Sequence, residues 1–167
     1  MSALPTGAPR ELSAHDEKQA HVLQLINAYR FRGHQVAKTD PLELQDSPEL
    51  PELDLAHYGL GEADLDTAFD TGSLVGPDRA SLEQILDRLR AAYCGSIGAE
   101  YMHITETTEK RWIQQRLERV RGDHGLDSET RLRLLERLTA AEGLERYLHT
   151  RYVGQKRFSL EGGDSLI

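Results

Sequence analysis

The chain has 167 residues and carries 28 acidic against 20 basic side chains, which gives a formal net charge of −8. This acidity argues against a general binder of nucleic-acid phosphates. The single cysteine, Cys94, excludes an intrachain disulfide and an all-thiolate metal site. No apolar run approaches the roughly 18 residues that a membrane span requires. We therefore expect a soluble cytoplasmic protein with neither nucleic-acid nor membrane partners.

The first predicted helix follows a loose amino terminus. Residues 1–14 hold two prolines, a glycine and small side chains, which predicts a flexible segment. A helical pattern begins at Asp16, and Gly33 is expected to end it. Its apolar stripe follows the 3.6-residue period and consists of Val22, Leu25, Ile26 and Tyr29.

The segment 38–78 lacks periodicity and predicts a long irregular arm. Prolines at 41, 48, 51 and 77 push the residues before them toward extended backbone. So long a stretch usually wraps over a neighbour or binds something. We predict a short helical turn at Glu62–Phe69. We also expect the leucines of the arm to anchor it to a surface; they are Leu42, Leu44, Leu50, Leu53, Leu55 and Leu60.

Further helices are predicted after the arm. Ser81 is expected to begin the first of them and Gly95 to end it, around the apolar residues Leu82, Ile85, Leu86, Leu89 and Tyr93. Residues 97–104 predict an extended or irregular connector. Thr105 or Thr107 is expected to cap the next helix, which carries Trp112, Ile113, Leu117 and Val120.

The end of the chain also has a helical pattern. Asp127 or Ser128 is expected to cap a helix that carries Leu132, Leu134, Leu135 and Leu138. A last helical pattern begins at Ala141 and runs to about Arg151. These patterns together predict a mainly α protein with one irregular arm.

Side chains with evident chemistry are scattered. None of the seven histidines has a cysteine or histidine partner at metal-ligand spacing, and His103 is the one that we expect to be buried. Cys94 falls at a helix carboxyl end, where the helix dipole disfavours a thiolate, so it is expected to be inert. Gly162-Gly163-Asp164 is too short a pattern to indicate a phosphate loop. We predict no catalytic and no metal-ligating residue.

The segment 108–121 combines seven charges with Trp112. Basic residues beside an aromatic ring can indicate RNA binding. A solvated helix face explains the pattern better, because the chain as a whole is acidic.

Three longer stretches contain irregular residue choices that helix formation and burial alone do not require. They are LQLINAYRFRGHQVAKTDPL (23–42), YCGSIGAEYMHITETTEKRWIQQRLE (93–118) and LTAAEGLERYLHTRYVGQKRFSLEGGDSLI (138–167). In order and spacing they resemble the thiamine-diphosphate-dependent first component of the 2-oxoglutarate dehydrogenase complex. The irregular signatures RFRGH, GAEYMHI, EKRWIQQR and KRFSLEGG carry this resemblance.

The resemblance implies a domain organisation. In that family KRFSLEGG introduces the α/β domain that binds thiamine diphosphate. Residues 15–151 would then be a helical amino-terminal region, and 152–167 would begin the catalytic domain, with Leu166 and Ile167 opening its first helix. The GDG…N motif that holds magnesium and the diphosphate does not occur in the chain. We therefore expect an amino-proximal fragment that is inactive by itself.

The resemblance also implies a reaction, cofactors and partners. The whole enzyme would oxidatively decarboxylate 2-oxoglutarate with thiamine diphosphate and magnesium, in the tricarboxylic acid cycle. It would act as a homodimer and pass the succinyl group to a lipoyl-bearing succinyltransferase core. Arg157 of KRFSLEGG would contact the cofactor or substrate, since a guanidinium suits a carboxylate or a diphosphate. The alternative for Arg157 is an exposed ion pair with Glu161 or Asp164.

Two other interpretations of the chain stay open at this point. One is a non-catalytic helical interaction module that uses its arm to bind a partner. The other is a 2-oxoadipate-specific relative of the same enzyme, whose substrate would be set largely by pocket residues outside this chain.

Overall fold

The computed structural model describes residues 13–42, 44, 46–123, 125–154, 156, 159, 162 and 163. The helices and strands in these residues are α1 (Ala14–Arg32), β1 (Ala68–Asp70), β2 (Arg79–Ser81), α2 (Leu82–Tyr93), α3 (Thr107–Val120) and α4 (Ser128–Arg151). The prediction of a mainly α fold is confirmed. The chain divides into two compact units, Met1–Gly122 and Asp123–Ile167, here called the first and the second unit. The predicted boundaries at 14/15 and 151/152 stay predictions.

Helix α1 begins two residues before the predicted start because Ser13 caps it. The Ser13 hydroxyl accepts a hydrogen bond from the Asp16 amide, and the Asp16 carboxylate accepts one from the Ser13 amide, which forms a capping box. The predicted apolar stripe is buried in full, and Gly33 caps the carboxyl end as expected.

Helices α1 and α2 approach closely at Gly33. A Cβ atom at this position would lie 2.6 Å from the Cβ of Tyr93 and 3.3 Å from its carbonyl oxygen. Gly33 has right-handed helical backbone angles, so the absence of a side chain, and not an unusual φ, is what this position requires.

The arm is more ordered than predicted. Short 3-10 helices form at Pro51–Leu53, Leu55–Tyr58 and Glu62–Asp64. Leu60 is buried, and Leu53 and Leu55 pack against the core, so the expected anchoring is confirmed for these three leucines. The same expectation is wrong for Leu42 and Leu44, whose side chains are 73% and 77% exposed.

A two-stranded antiparallel sheet was not predicted. Strands β1 and β2 pair with Phe69 opposite Ala80, and both side chains enter the core. The predicted helical turn at Glu62–Phe69 is wrong beyond Asp64, since Phe69 lies in β1. The Thr71 hydroxyl closes the hairpin by donating 2.8 Å to the Pro77 carbonyl. Strands of three residues are too short to show a period of two.

Helix α2 follows its prediction, whereas the cap of α3 differs. Ser81 caps α2 with its hydroxyl, and Gln84 completes the capping box. The residues between α2 and α3 contain no helix or strand, as expected of the connector. Neither Thr105 nor Thr107 caps α3: the Glu106 carboxylate accepts the Thr108 amide instead.

The described part of the second unit is mostly one helix. Asp127 caps α4, which runs unbroken from Ser128 through Gly143 to Arg151, although the sequence pattern predicted two helical stretches. None of the described helix residues of α4 is buried. Among the described residues, no helix is both long and apolar enough to cross a membrane.

A pair of glycine substitutions tests the close packing at Gly33. Gly33→Ala should lower the free energy of unfolding by about 1–3 kcal/mol, because the added methyl group overlaps Tyr93. The matched control is Gly143→Ala in α4, where a Cβ meets nothing within 4 Å. This control should increase helix stability by roughly 0.5–1 kcal/mol. Urea unfolding followed by circular dichroism measures both changes, and a stabilising effect of Gly33→Ala would contradict the packing argument.

Candidate functional site

The one predicted site residue, Arg157, lies outside the described residues, as do its alternative partners Glu161 and Asp164. Its role as a cofactor or substrate contact therefore stays a prediction. In the same region, the Ser159 hydroxyl donates to the Glu145 carboxylate, 3.1 Å from Oε2.

A buried ion pair joins α1 to α3 in the first unit. Arg30 Nε donates 2.8 Å to Glu118 Oε1, and Arg30 Nη2 lies 2.8 Å from the same oxygen. The two side chains are only 4% and 1% exposed. Nη2 is buried, and its contact with Glu118 is electrostatic: it forms no hydrogen bond within the described part of the chain. Removing either member would leave an uncompensated charge in the core.

Glu118 also binds two other segments of the first unit. Its Oε2 accepts the Val75 amide at 2.9 Å, and its Oε1 accepts the Tyr93 hydroxyl at 2.7 Å. The Tyr101 hydroxyl lies 2.9 Å from that of Tyr93. Because the Tyr93 proton is directed at Glu118, Tyr101 is the donor in this second bond. One carboxylate thus joins α1, α2, α3 and the loop that follows β1.

Ser73 extends the network on the side of Arg30. Arg30 Nη1 donates 3.0 Å to the Ser73 hydroxyl and 3.3 Å to Asn27 Oδ1. The buried Gln114 donates from Nε2 to the Ser73 carbonyl at 3.2 Å. Ser73 itself is exposed and links Arg30 to Gln114 from the edge of the site. We call Arg30, Tyr93, Tyr101, Gln114 and Glu118 the buried polar network.

The electrostatics of this network favour fixed protonation states. Burial raises the pKa of the Tyr93 phenol, and the Glu118 charge raises it further. Burial also raises the pKa of Tyr101. Desolvation acts to lower the pKa of Arg30, but the hydrogen bond and the charge of Glu118 outweigh it and raise that pKa. The tyrosines thus stay neutral and Arg30 stays charged, an arrangement that holds helices together and exchanges no protons near neutral pH.

Three of the four signatures of the family resemblance contribute a residue to this network. Arg30 opens RFRGH, Tyr101 lies in GAEYMHI, and Gln114 belongs to EKRWIQQR, which Glu118 follows by two residues. Tyr93 begins the stretch YCGSIG. The irregular residue choices in these signatures therefore have a structural reason, since each supplies one polar group to the same buried site.

The chain also has a cavity between α1, α2 and the arm. Its volume is about 840 Å³, and its walls include Tyr29, Lys38, Leu50, Asp54, Arg90 and Cys94. Burial raises the pKa of the Cys94 thiol, which agrees with the low reactivity expected of this cysteine; the thiol is only half-buried, so a small reagent reaches it slowly.

The histidines do not form a metal centre in the described part of the chain, where no three His, Cys, Asp or Glu side chains cluster. His103 is exposed, so the expectation that it is buried is wrong. Its neighbours Tyr101 and Ile104 face the core in its place. His15 has a packing role: its ring stacks on Phe69 with 5.3 Å between the centroids.

The charged helix α3 has one solvated face and one buried polar face. Trp112 is 57% exposed, and the Arg116 guanidinium lies 4.0 Å from the centre of its ring. The solvated-face interpretation holds for these residues. It missed Gln114 and Glu118, which face the core from the same helix.

Proteins from several bacteria are similar to almost the whole chain. The 2-oxoglutarate dehydrogenase E1 component of Azotobacter vinelandii is 49% identical over 166 residues, which is 99% of this chain. The E1 component of Cupriavidus necator is 51% identical over 151 residues, or 90% of the chain. The chain belongs to the family of 2-oxoglutarate dehydrogenase E1 components.

The match covers a small part of each E1 component. The chain spans 18% of the Azotobacter protein and 16% of the Cupriavidus protein. It is also 43% identical to a 2-oxoglutarate dehydrogenase E1/E2 component of Corynebacterium glutamicum, of which it spans 12%. No protein-family model matches the chain.

The sequence motifs predict the E1 family but not the buried polar network. One signal was available: Val22, Ile26 and Arg30 lie four residues apart, so Arg30 continues the apolar stripe of α1. Glu118 likewise lies next to Leu117 of the apolar pattern of α3. A charged residue on a buried face is expected to have a partner of opposite charge. The sequence alone does not identify which acidic residue pairs with Arg30.

Substitution of Glu118 tests the ion pair. Glu118→Gln should lower the free energy of unfolding by about 3–5 kcal/mol, because Arg30 would remain buried without a counter-charge. Glu109→Gln, on the exposed face of the same helix, should change it by no more than roughly 0.5 kcal/mol. Urea denaturation provides both values. The double variant Arg30→Met and Glu118→Gln should lose less stability than the sum of the losses of the two single variants. If the losses are simply additive, then Arg30 and Glu118 are not coupled.

The buried tyrosines predict an alkaline instability. Their raised pKa values mean that the folded chain keeps protons that the unfolded chain loses above its ordinary tyrosine pKa of about 10. Stability is thus fully present below that pH and falls above it, by up to about 1.4 kcal/mol per pH unit for each tyrosine. Tyr93→Phe should make this fall less steep. Denaturation at a series of pH values measures the slopes, and equal slopes for both proteins would refute the assignment.

Proposed function

We propose that the chain is the amino-terminal part of the E1 subunit of a 2-oxoglutarate dehydrogenase (succinyl-transferring). The complete subunit would oxidatively decarboxylate 2-oxoglutarate and pass the succinyl group to a lipoyl carrier, in the tricarboxylic acid cycle. The observation that carries this proposal is the identity of about half the residues, over nearly the whole chain, with proteins that bear the E1 name. The resemblance of KRFSLEGG to the entrance of the catalytic domain supports the amino-terminal placement.

The described residues do not fit the cofactor site. They contain no cluster of carboxylates or other ligands for the magnesium ion that would accompany thiamine diphosphate. We propose that residues beyond the described ones hold both groups, with Arg157 as one contact. In the described part of the chain, the buried polar network supplies rigidity: it fixes α1, α2 and α3 through directional bonds.

The partners and location of the complete subunit form part of the same proposal. A homodimer would act in the cytoplasm and transfer succinyl groups to the lipoyl-bearing succinyltransferase core. The name of the Corynebacterium relative, an E1/E2 component, supports a close relation between the two activities in that protein.

An activity assay tests the proposed function. The 167-residue chain and the complete polypeptide encoded with it are assayed for dye reduction with 2-oxoglutarate, thiamine diphosphate and magnesium. The complete polypeptide should turn over 2-oxoglutarate faster than 2-oxoadipate, and the isolated chain should show no turnover. A folded complete polypeptide that is inactive on 2-oxoglutarate would refute the proposal, as would turnover by the isolated chain.

Arg157 allows a sharper test in the complete polypeptide. Arg157→Ala should reduce kcat/KM roughly ten- to hundredfold, because losing a charged hydrogen bond to a buried anion costs about 1.5–3 kcal/mol. Arg157→Lys should restore part of the loss, since one ammonium cannot reproduce a planar fork. Arg151→Ala, in the last turn of α4, is the control. Unchanged constants for thiamine diphosphate and 2-oxoglutarate would exclude Arg157 from the site.

A further inference from the structure

Two cations line the cavity between α1, α2 and the arm without a carboxylate partner. Lys38 and Arg90 both lie in its wall. Among the described residues, neither forms an ion pair, even though Glu49 and Asp54 lie in the same wall. Several other cations of the first unit, such as Lys110 and Arg119, likewise have no ion pair in the described part of the chain. Lys38 and Arg90 are both exposed, so a ligand in the cavity can reach their charged groups.

The floor of the cavity adds hydrogen-bonding and apolar groups. Tyr29 is buried, and its hydroxyl donates a weak 3.4 Å bond to the Leu53 carbonyl. The Arg90 guanidinium lies close enough to Tyr29 to oppose the rise that burial causes in the pKa of the phenol. Val36, Leu50 and Leu53 complete the apolar part of the wall. A guanidinium and an ammonium around one cavity suit an oxyanion.

We propose that this cavity binds a small molecule that presents one carboxylate or phosphate group to Arg90 and Lys38. Glu49 and Asp54 would repel a ligand with several negative charges, so the rest of the molecule is apolar or bears an amine. The volume of about 840 Å³ is within the range of small-molecule sites. The proposal goes beyond the proposed function and does not depend on it.

Cys94 provides a direct readout of occupancy. It is the only cysteine of the chain, and it lies in the wall of this cavity. A ligand in the cavity should therefore shield the thiol from a neutral alkylating reagent such as iodoacetamide. The rate of alkylation is compared with and without ligand in the same variant, so any effect of Arg90 on the reactivity of the thiol cancels.

The experiment uses the 167-residue chain and four additives at equal ionic strength. Butyrate and butyl phosphate carry the two possible oxyanions on the same apolar body, and n-butylammonium and chloride are the controls. One or both oxyanions should slow alkylation severalfold, with a saturating concentration dependence. The additive that protects Cys94 identifies whether the site prefers a carboxylate or a phosphate group. Arg90→Gln and Lys38→Gln should each weaken the apparent affinity about two- to fivefold, because both cations are exposed, and the double variant should weaken it further. Arg119→Gln, on the exposed face of α3, should leave it unchanged.

Several outcomes would overturn the proposal. Absence of protection by both oxyanions would do so, as would equal protection by n-butylammonium or chloride. Protection that survives both Arg90→Gln and Lys38→Gln would show that the anion binds elsewhere. Circular dichroism checks the fold of each variant. If Arg90→Gln does not fold, then Lys38→Gln, whose side chain is exposed, decides the outcome.

Discussion

The first unit depends on one buried carboxylate. Glu118 receives Arg30 from α1, Tyr93 from α2 and the Val75 amide from the loop after β1. Apolar packing alone would hold these segments together, but it tolerates small shifts of one helix along another. A charge that is buried almost completely does not, because each displacement leaves a polar group without a partner. The ion pair therefore selects one arrangement of α1, α2 and α3.

This constraint changes what the family signatures mean. Irregular motifs such as RFRGH and GAEYMHI invite a catalytic interpretation, yet one polar residue of each, Arg30 and Tyr101, is directed into the core. Polar networks of this kind are sensitive to every member, since one substitution leaves the others unsatisfied. In the proposed enzyme these residues would act as a rigid support, and the chemistry would belong to other parts of the subunit.

The helices were predictable because their signals are local. Ser81 and Asp127 cap their helices as expected, and the apolar stripe of α1 is buried in full. The errors have non-local causes. Strand β1 is defined by the pairing of Phe69 with Ala80 across a hairpin. A strand of three residues is too short to show a periodic pattern in the sequence. His103 is exposed because its neighbours Tyr101 and Ile104 take the core positions of a connector without regular alternation. The pairing of Arg30 with Glu118 could not be predicted without knowing how α1 and α3 pack together.

The ion pair also has a consequence for the order of events during synthesis. Arg30 and Glu118 are 88 residues apart in sequence, so α1 emerges from the ribosome long before its counter-charge. At about 5–20 residues per second, the delay lasts roughly 4–18 seconds, during which Arg30 must remain hydrated. The nascent amino-terminal helix thus cannot complete its native packing early. Contacts this distant in sequence favour slow, late consolidation of the core, once α3 has been translated.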